Sequence, residues 1–409
     1  MVITRLKRLL IGDPLPSHFL SHQRLPKWKA LSVLSSDALS SVAYATEEML
    51  IPLAAFSAMA VNWSLPIAFS IAALLLIVSL SYRQTIKAYP QGGGAYVVAK
   101  ENLGVYPGLT AGAALLIDYM LTVAVSVSAG VAAITSAMPS MLPYRSMIAA
   151  AVVVILMVLN LRGVKESASL FAIPTYVFVL FAFYLVIAGL LQVARGEIPS
   201  APSLLHEAYP EIPVFLVLRA FSSGCAALTG IEAISDGVPV FQDPVAKNAK
   251  ITLMWMSGLL ASLFIGITLL SHFFQVLPHA GETALSQIAR MIYGESWFYY
   301  AMQASTAMIL LLAANTSYQD FPRLASWLAR DRFLPRQFAG MGDKLVFSNG
   351  IVGLSLGAMG LIFIFGGDTH ALVPLYAVGV FLSFTLSQAG MVVHHLRERP
   401  KGYRRMIFF

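Results

Sequence analysis

The chain has 409 residues, 58% of them apolar and only 11% charged, with 27 Lys and Arg against 20 Asp and Glu for a formal net charge of +7. Soluble domains carry roughly 25% charged residues, so this composition excludes an ordinary soluble globular protein and points to an integral membrane one. The single cysteine, Cys225, excludes an internal disulfide and a cysteine-based metal cluster.

Residues 1–30 form a basic segment, expected to be cytoplasmic, and no cleavable signal peptide is evident in it. Apolar stretches long enough to cross about 30 Å of hydrocarbon then recur ten times, at 31–56, 64–86, 107–138, 146–161, 167–194, 213–239, 249–273, 296–321, 346–366 and 371–396. Lys and Arg sort by side: 23 of the 27 fall in the N-terminal segment, the alternate loops and the C-terminal end, while Arg145, Arg195 and Arg290 fall on the opposite side and Arg219 within span six. The positive-inside rule then places both ends of the chain in the cytoplasm of a bacterial cell. This topology accounts for the positive charge and removes the need for a nucleic-acid partner.

The first span carries "LSVLSSDALSSVAYATEEML", residues 31–50, with Asp37 among serines, then Tyr44, Glu47 and Glu48. After span two, "AYPQGGGAYVVAKENLG", residues 88–104, lacks the Lys-Ser/Thr ending of a phosphate loop and reads as a tight turn into a short helix. Span three contains "LLIDYMLTVAVSVSAG", where Asp118, Thr122 and Ser126 recur every four residues on one helical face beside Tyr119. Span six is interrupted by "SSGCAALTGIEAISDG", residues 222–237, with Gly224, Gly230, Gly237, Thr229 and Glu232. "GLSLG" in span nine matches a hydrolase motif only in spelling, since it lies in an apolar helical segment with no strand before it. Span ten carries Tyr376 between Pro374 and Gly379, and ends on His394 and His395, expected in the solvated interface. The last residues, "MIFF", read as the start of an eleventh span that is cut short within 397–409.

Spans one to five (31–195) and six to ten (213–396), joined by the loop 196–212, are similar in length. Five is odd, so the halves would insert with opposite topology, and each opens on an interrupted helix. Paired interruptions of this kind point to a transporter site, because unwound backbone at membrane depth survives only where it lines a cavity or is buried in protein. A carboxylate at the bilayer centre costs about 2.5–3.5 kcal/mol on insertion scales, yet Asp37, Asp118 and Glu232 are all deep. The site is therefore oxygen-rich and net negative, suited to a hard cation and to proton coupling.

These motifs resemble the amino acid–polyamine–organocation superfamily. "YPQGGGAYVVAKENLG" and "NTSYQDFPRLASWLARDRFLP" (315–335) are similar to its general signatures. "SSDALSSVAYATEE", "DYMLTVAVSVSAG" and "FSSGCAALTGIEAISDGVP" are more specific and resemble the KimA-type potassium importers, related in fold to the KUP transporters. The resemblance implies an all-α, five-plus-five inverted-repeat fold of leucine-transporter type with helices one and six broken. It implies potassium import by proton symport through alternating access, with no cofactor. It places potassium at Asp37, Asp118, Tyr119, Thr122, Ser126 and Thr229, with Tyr44 and Tyr376 beside it and Glu232 as the proton-coupling group. Glu47, further out, is a candidate gate. The family resembles twelve-span proteins with a cytosolic domain that supports a homodimer, an expectation that attaches to a longer form.

The nearest alternative is an amino acid or polyamine permease of the same superfamily. Two like charges about 4 Å apart repel by roughly 4 kcal/mol at an effective dielectric near 20, so Asp37 disfavours a free α-carboxylate while admitting a cationic amine. A channel would want a repeated filter of carbonyl loops, and an enzyme a nucleophile–base or metal-ligand spacing at depth; neither pattern recurs.

Overall fold

The computed structural model describes residues 24–92, 94–162, 168–197, 211–342, 346–399 and 403–407, with the backbone alone at 168–171, 405 and 406. The basic residues before Arg24, the loop residues 163–167, 198–210 and 343–345, and the final two residues lie outside this range.

The described residues are helical throughout, with two isolated β-bridges, Leu25–Phe241 and His279–Glu282, and no strand. The first predicted span holds three pieces, α1 (Lys27–Leu34), α2 (Ser36–Ser40) and α3 (Val42–Phe56). Then come α4 (Ser64–Ala88), the short α5 (Gly94–Leu103), α6 (Val105–Ala137), α7 (Arg145–Leu161) and α8 (Ala168–Ala194). The sixth predicted span holds α9 (Val214–Gly224) and α10 (Glu232–Asp236). It is followed by α11 (Val245–Phe273), α12 (Ala284–Tyr293), α13 (Trp297–Arg330), α14 (Ser348–Ile364), α15 (Thr369–Glu398) and α16 (Tyr403–Ile407). Eight helical segments among the described residues are long and apolar enough to cross a membrane; the 17-residue α14 and the segmented first span fall below that length.

Local chemistry sets the boundaries. α4 takes Pro66 in its first turn, where a missing N–H costs nothing, and stops before Pro90. Gly92 and Gly94 then adopt φ of +75° and +54°, giving the tight turn expected before α5. α6 ends just before Pro139. Thr283 caps α12 by accepting from Ser286 N at 3.3 Å, and Gly294 (φ +62°) ends it.

α6 is the axis. It packs along α13 and α15 and also against α5, α7 and α14, and most of it is buried. α11 lies along α4, and α9 along α3; a Cβ at Gly224 would sit 3.0 Å from Met49 Cβ, so that glycine serves close packing. α7 is peripheral, with few buried residues. Exposed Phe69, Ile155, Leu180, Leu356 and Phe363 form the apolar outer surface that a bilayer requires, and the chain is a multi-pass membrane protein. In the hydrolase-like "GLSLG", Ser355 bonds Ile351 O (2.9 Å) and the Tyr318 hydroxyl (2.8 Å), an ordinary interhelical contact. His395 differs from the solvated position expected: it is buried, with Nε2 2.8 Å from Gln84 Oε1, because α15 runs past α4 before it leaves the helix bundle.

Candidate functional site

The serines of the first span act on their own backbone. Ser32, Ser36, Ser40 and Ser41 each donate to the carbonyl three residues earlier, at 2.8, 3.3, 2.8 and 2.7 Å. Such back-bonding bends helices, and the helix kinks at Ser35 and Ser41. The expected interruption is thus a pair of breaks: the backbone ladder ends with Ser35 N on Leu31 O, starts again with Leu39 N on Ser35 O, and starts a third time with Ala45 N on Ser41 O.

The sixth span does unwind. α9 tightens into a 3-10 turn at Cys225–Leu228, Thr229 is extended (ψ 148°), and Gly230 takes φ +78°. Only Gly230 of the three glycines noted there is left-handed. A Cβ on Gly230 would lie 2.7 Å from Ala38 N and 2.8 Å from Asp37 Oδ2, so the unwound backbone of span six is pressed against the kinked turn of span one. Ser41 Oγ reaches Ala227 O at 3.3 Å across the same seam.

Around this seam Asp37, Tyr44, Asp118, Thr122, Thr229 and Tyr376 are all buried. Thr122 donates to Asp118 O at 2.9 Å, and its hydroxyl stands 3.3 Å from the Tyr376 hydroxyl. Gly379 lets α15 approach α6, since a Cβ there would sit 3.7 Å from Asp118 Cβ. Asp37 and Asp118 lie near one another, and Tyr44 and Tyr376 lie near both. Thr229 adjoins Tyr44. Asp37 Oδ1, Asp118 Oδ1 and the Tyr44 hydroxyl are buried with no hydrogen-bond partner. Ser126 is buried two turns along from Asp118.

Two predicted residues turn elsewhere. Tyr119 faces Asp236, Asp320 and Glu232, and Glu232, with an unpartnered Oε2, stands between this group and Asp118. Asp320 lies 3.9 Å from Arg323, so this second set leads toward the face that carries the basic loops. Tyr82, Asp236 and Asp320 were missed from sequence. Tyr82 is buried beside Glu232 and Asp236; Asp236 follows Glu232 by four residues, and Asp320 is a carboxylate inside an apolar span, signals that could have found them. Among the described residues no three His, Cys, Asp or Glu side chains group as a metal-holding cluster, so any cation here would be held by one or two carboxylates with hydroxyls.

On the face away from the basic loops, Glu47 Oε2 accepts from Ala284 N at 3.1 Å, at the first residue of α12. His370, at the start of α15, has Nδ1 2.7 Å from Glu48 Oε1 and Nε2 3.6 Å from Glu47 Oε1. It too was missed, because the predicted tenth span begins one residue later. On the basic face, Asp331 receives hydrogen bonds of 2.5 Å from both Lys100 Nζ and the Tyr96 hydroxyl. The Lys100 bond holds the Asp331 carboxyl below its ordinary range and raises the Lys100 ammonium.

The amino acid permease family matches residues 25–409 of this sequence. The chain is 53% identical over 400 residues to the potassium transporter KimA of Bacillus subtilis (strain 168), an alignment covering 97% of this chain and 66% of that protein, a little under two thirds of its length. It is 22% identical over 336 residues to the low-affinity putrescine importer PlaP of Escherichia coli (strain K12), covering 80% of this chain and 72% of that one. A solved structure, a manganese transporter from Eremococcus coleocola, superposes with a TM-score of 0.49 at 16% identity over 93% of this chain and 83% of its own.

Proposed function

Because the chain belongs to the amino acid permease family, we propose that it is a secondary active transporter importing potassium across a bacterial plasma membrane, coupled to protons, by alternating access. The observation that carries this reading is the pair of buried, unpartnered carboxylate oxygens of Asp37 and Asp118 beside the seam where span six unwinds against span one. Burying an unpaired charged oxygen is costly, and a dehydrated cation arriving between these oxygens removes that cost. Its remaining ligands would be the hydroxyls of Tyr44, Thr122, Ser126, Thr229 and Tyr376 and freed backbone carbonyls. Kinship with a protein named as a potassium transporter favours potassium among the monovalent cations.

Glu232 stands between the two groups of acids and is the proton-coupling residue in this reading. Tyr119 and Glu232, with Asp236 and Asp320, line the way to the basic face, which is cytoplasmic by the positive-inside rule. Residues 31–195 and 213–396 act as inverted repeats, joined by 196–212. Spans one, two, six and seven rock against three, four, eight and nine, with Glu47 a contact of the outer gate.

The test is uptake of radioactive rubidium, labelled putrescine and labelled amino acids into potassium-uptake-deficient cells, with growth at limiting potassium. Rubidium uptake is expected, with Asp37→Asn and Asp118→Asn each reducing it about tenfold or more, since one charged ligand is worth ~1.5–3 kcal/mol. Glu232→Gln should uncouple uptake from external pH. Putrescine uptake without rubidium uptake would replace potassium by a polyamine; intact rubidium uptake in both aspartate variants would remove them as ligands.

A further inference from the structure

We infer that His370 is the latch of the outer gate: its imidazolium, held between Glu47 and Glu48, ties span one to span ten, and loss of its proton frees the vestibule above the cation site. The inference rests on the transporter reading and adds a residue and a control to it.

A vestibule of about 800 Å³ opens on the face away from the basic loops, with Glu47, Ser128, Arg145, Glu282, Asp368 and His370 in its wall. Glu47 and Glu48 are 2% and 3% exposed, so their charges have little water to share. A neutral imidazole has a single N–H and offers a lone pair to the second carboxylate. Only the imidazolium presents an N–H to Glu48 at 2.7 Å and another toward Glu47 at 3.6 Å.

The other charges facing His370 are accounted for. Asp368, its own N-cap, accepts from His370 N at 2.9 Å and is paired with Arg145 of α7 at 3.6 Å. Arg145 also bonds Gly366 O at 2.9 Å. Across the vestibule stand His279 and Glu282, and Arg290 of α12 holds Glu282 at 3.0 Å and Glu295 at 3.0 Å. Both guanidiniums are thus committed to other acids, and His370 is the cation that serves Glu47 and Glu48.

The helices are loosened where the latch sits. Pro52 lies four residues after Glu48 in α3, and Pro374 four after His370 in α15. Each proline removes the N–H that would bond the carbonyl of the latch residue, a known site of helix bending. Glu47 meanwhile holds α12 through Ala284 N. Breaking the imidazolium contacts would let span one and α12 move away from span ten. A free imidazole changes charge between about pH 5 and 8, and the two carboxylates beside this one hold its proton above that range, so the gate stays shut near neutral pH and alkali outside eases its opening.

The experiment reads gate opening without any cargo. Ser128, buried at 1% exposure in the vestibule wall, is replaced by cysteine in a chain whose native Cys225 is alanine. The rate of labelling by a membrane-impermeant maleimide is measured in right-side-out vesicles at about pH 7.5 and about pH 10, below and above the raised range of a carboxylate-held imidazole. Rates are normalised to a cysteine at the exposed rim residue Ala280, which cancels the reagent's own pH dependence. With His370 present, labelling should be slow at the lower pH and about tenfold faster at the higher, within the usual range of coupling between two states. His370→Gln should be fast at both. His370→Arg, a permanent cation able to bridge two carboxylates, should be slow at both, which a merely misfolded variant would not be. Labelling independent of pH with His370 present, or fast labelling of His370→Arg, overturns the latch. Either result leaves potassium import to be judged by rubidium uptake alone.

Discussion

At the scale of single residues, the seam between spans one and six depends on one position having no side chain. Gly230 combines φ +78° with backbone and carboxylate atoms under 3 Å from where a Cβ would sit. Left-handed backbone costs an L-residue about 1–2 kcal/mol, and the contact must be relieved by moving Asp37. Gly230→Ala should therefore lower the unfolding midpoint in detergent and cut rubidium uptake about tenfold or more, since about 1.4 kcal/mol is already tenfold; Gly258→Ala, where a Cβ meets nothing within 4 Å, serves as the comparison. An unchanged uptake rate would mean the seam does not position Asp37. Asp37, Asp118 and Thr122 were legible in the sequence because polar groups in apolar spans are expensive and so stand out. Tyr119, expected among the cation's ligands beside Asp118, lies near Asp236, Asp320 and Glu232 as well as Asp118, since neighbours on a helix point about 100° apart. His370 was not legible, since its partners lie some 320 residues away in sequence.

At the scale of elements, the eight helical segments among the described residues that are long and apolar enough to cross a membrane fall on predicted spans, because apolar length is the strongest signal a membrane chain carries. The nature of the breaks was less legible. A run of serines and a run containing glycines both lower helix propensity, but serine can return its hydroxyl to the helix while glycine cannot. Hence span one is broken twice but stays helical in the pieces between, while span six unwinds at Thr229 and Gly230. The short α5 between spans two and three is tied to the end of α13 by the Lys100, Tyr96 and Asp331 contacts, outside the membrane. The Asp331 carboxyl is depressed, so its contribution is complete above its unfolded pKa near 4 and is lost as pH falls through the lower folded value. The Lys100 ammonium is raised, so its share is present below about pH 10 and lost as pH rises through its folded value. Both side chains are about a third exposed, at 34% and 36%, which limits the pair to less than about 1 kcal/mol. Asp331→Asn should thus lower thermal stability slightly at neutral pH, the difference shrinking as pH falls below about 4 and in high salt. A loss that persists at acid pH would assign the effect to packing.

At the scale of the whole molecule, alternating access asks that one group of helices move as a body while its internal contacts hold. The helices proposed to move are joined by buried hydroxyl pairs: Ser79 of α4 meets Ser257 of α11 at 2.7 Å, and Thr46 of α3 meets Thr268 of α11 at 3.1 Å. Each hydroxyl also bonds back within a helix or meets its partner in a dry interior, so sliding one helix along the other would strand polar groups at about 1–3 kcal/mol each. That cost favours rigid motion over shear. Side-chain oxygens 2.7 Å apart put the two Cβ atoms within reach of a disulfide, so Ser79→Cys with Ser257→Cys, in the Cys225→Ala background, can weld α4 to α11. Under rigid rocking, oxidation should leave rubidium uptake within about twofold of the reduced protein, since the weld adds no coupling between the two states. If α4 must slide past α11 for the cation to cross, oxidation will stop uptake and reductant will restore it, and the division into a rocking body and a fixed one would have to be redrawn between those two helices.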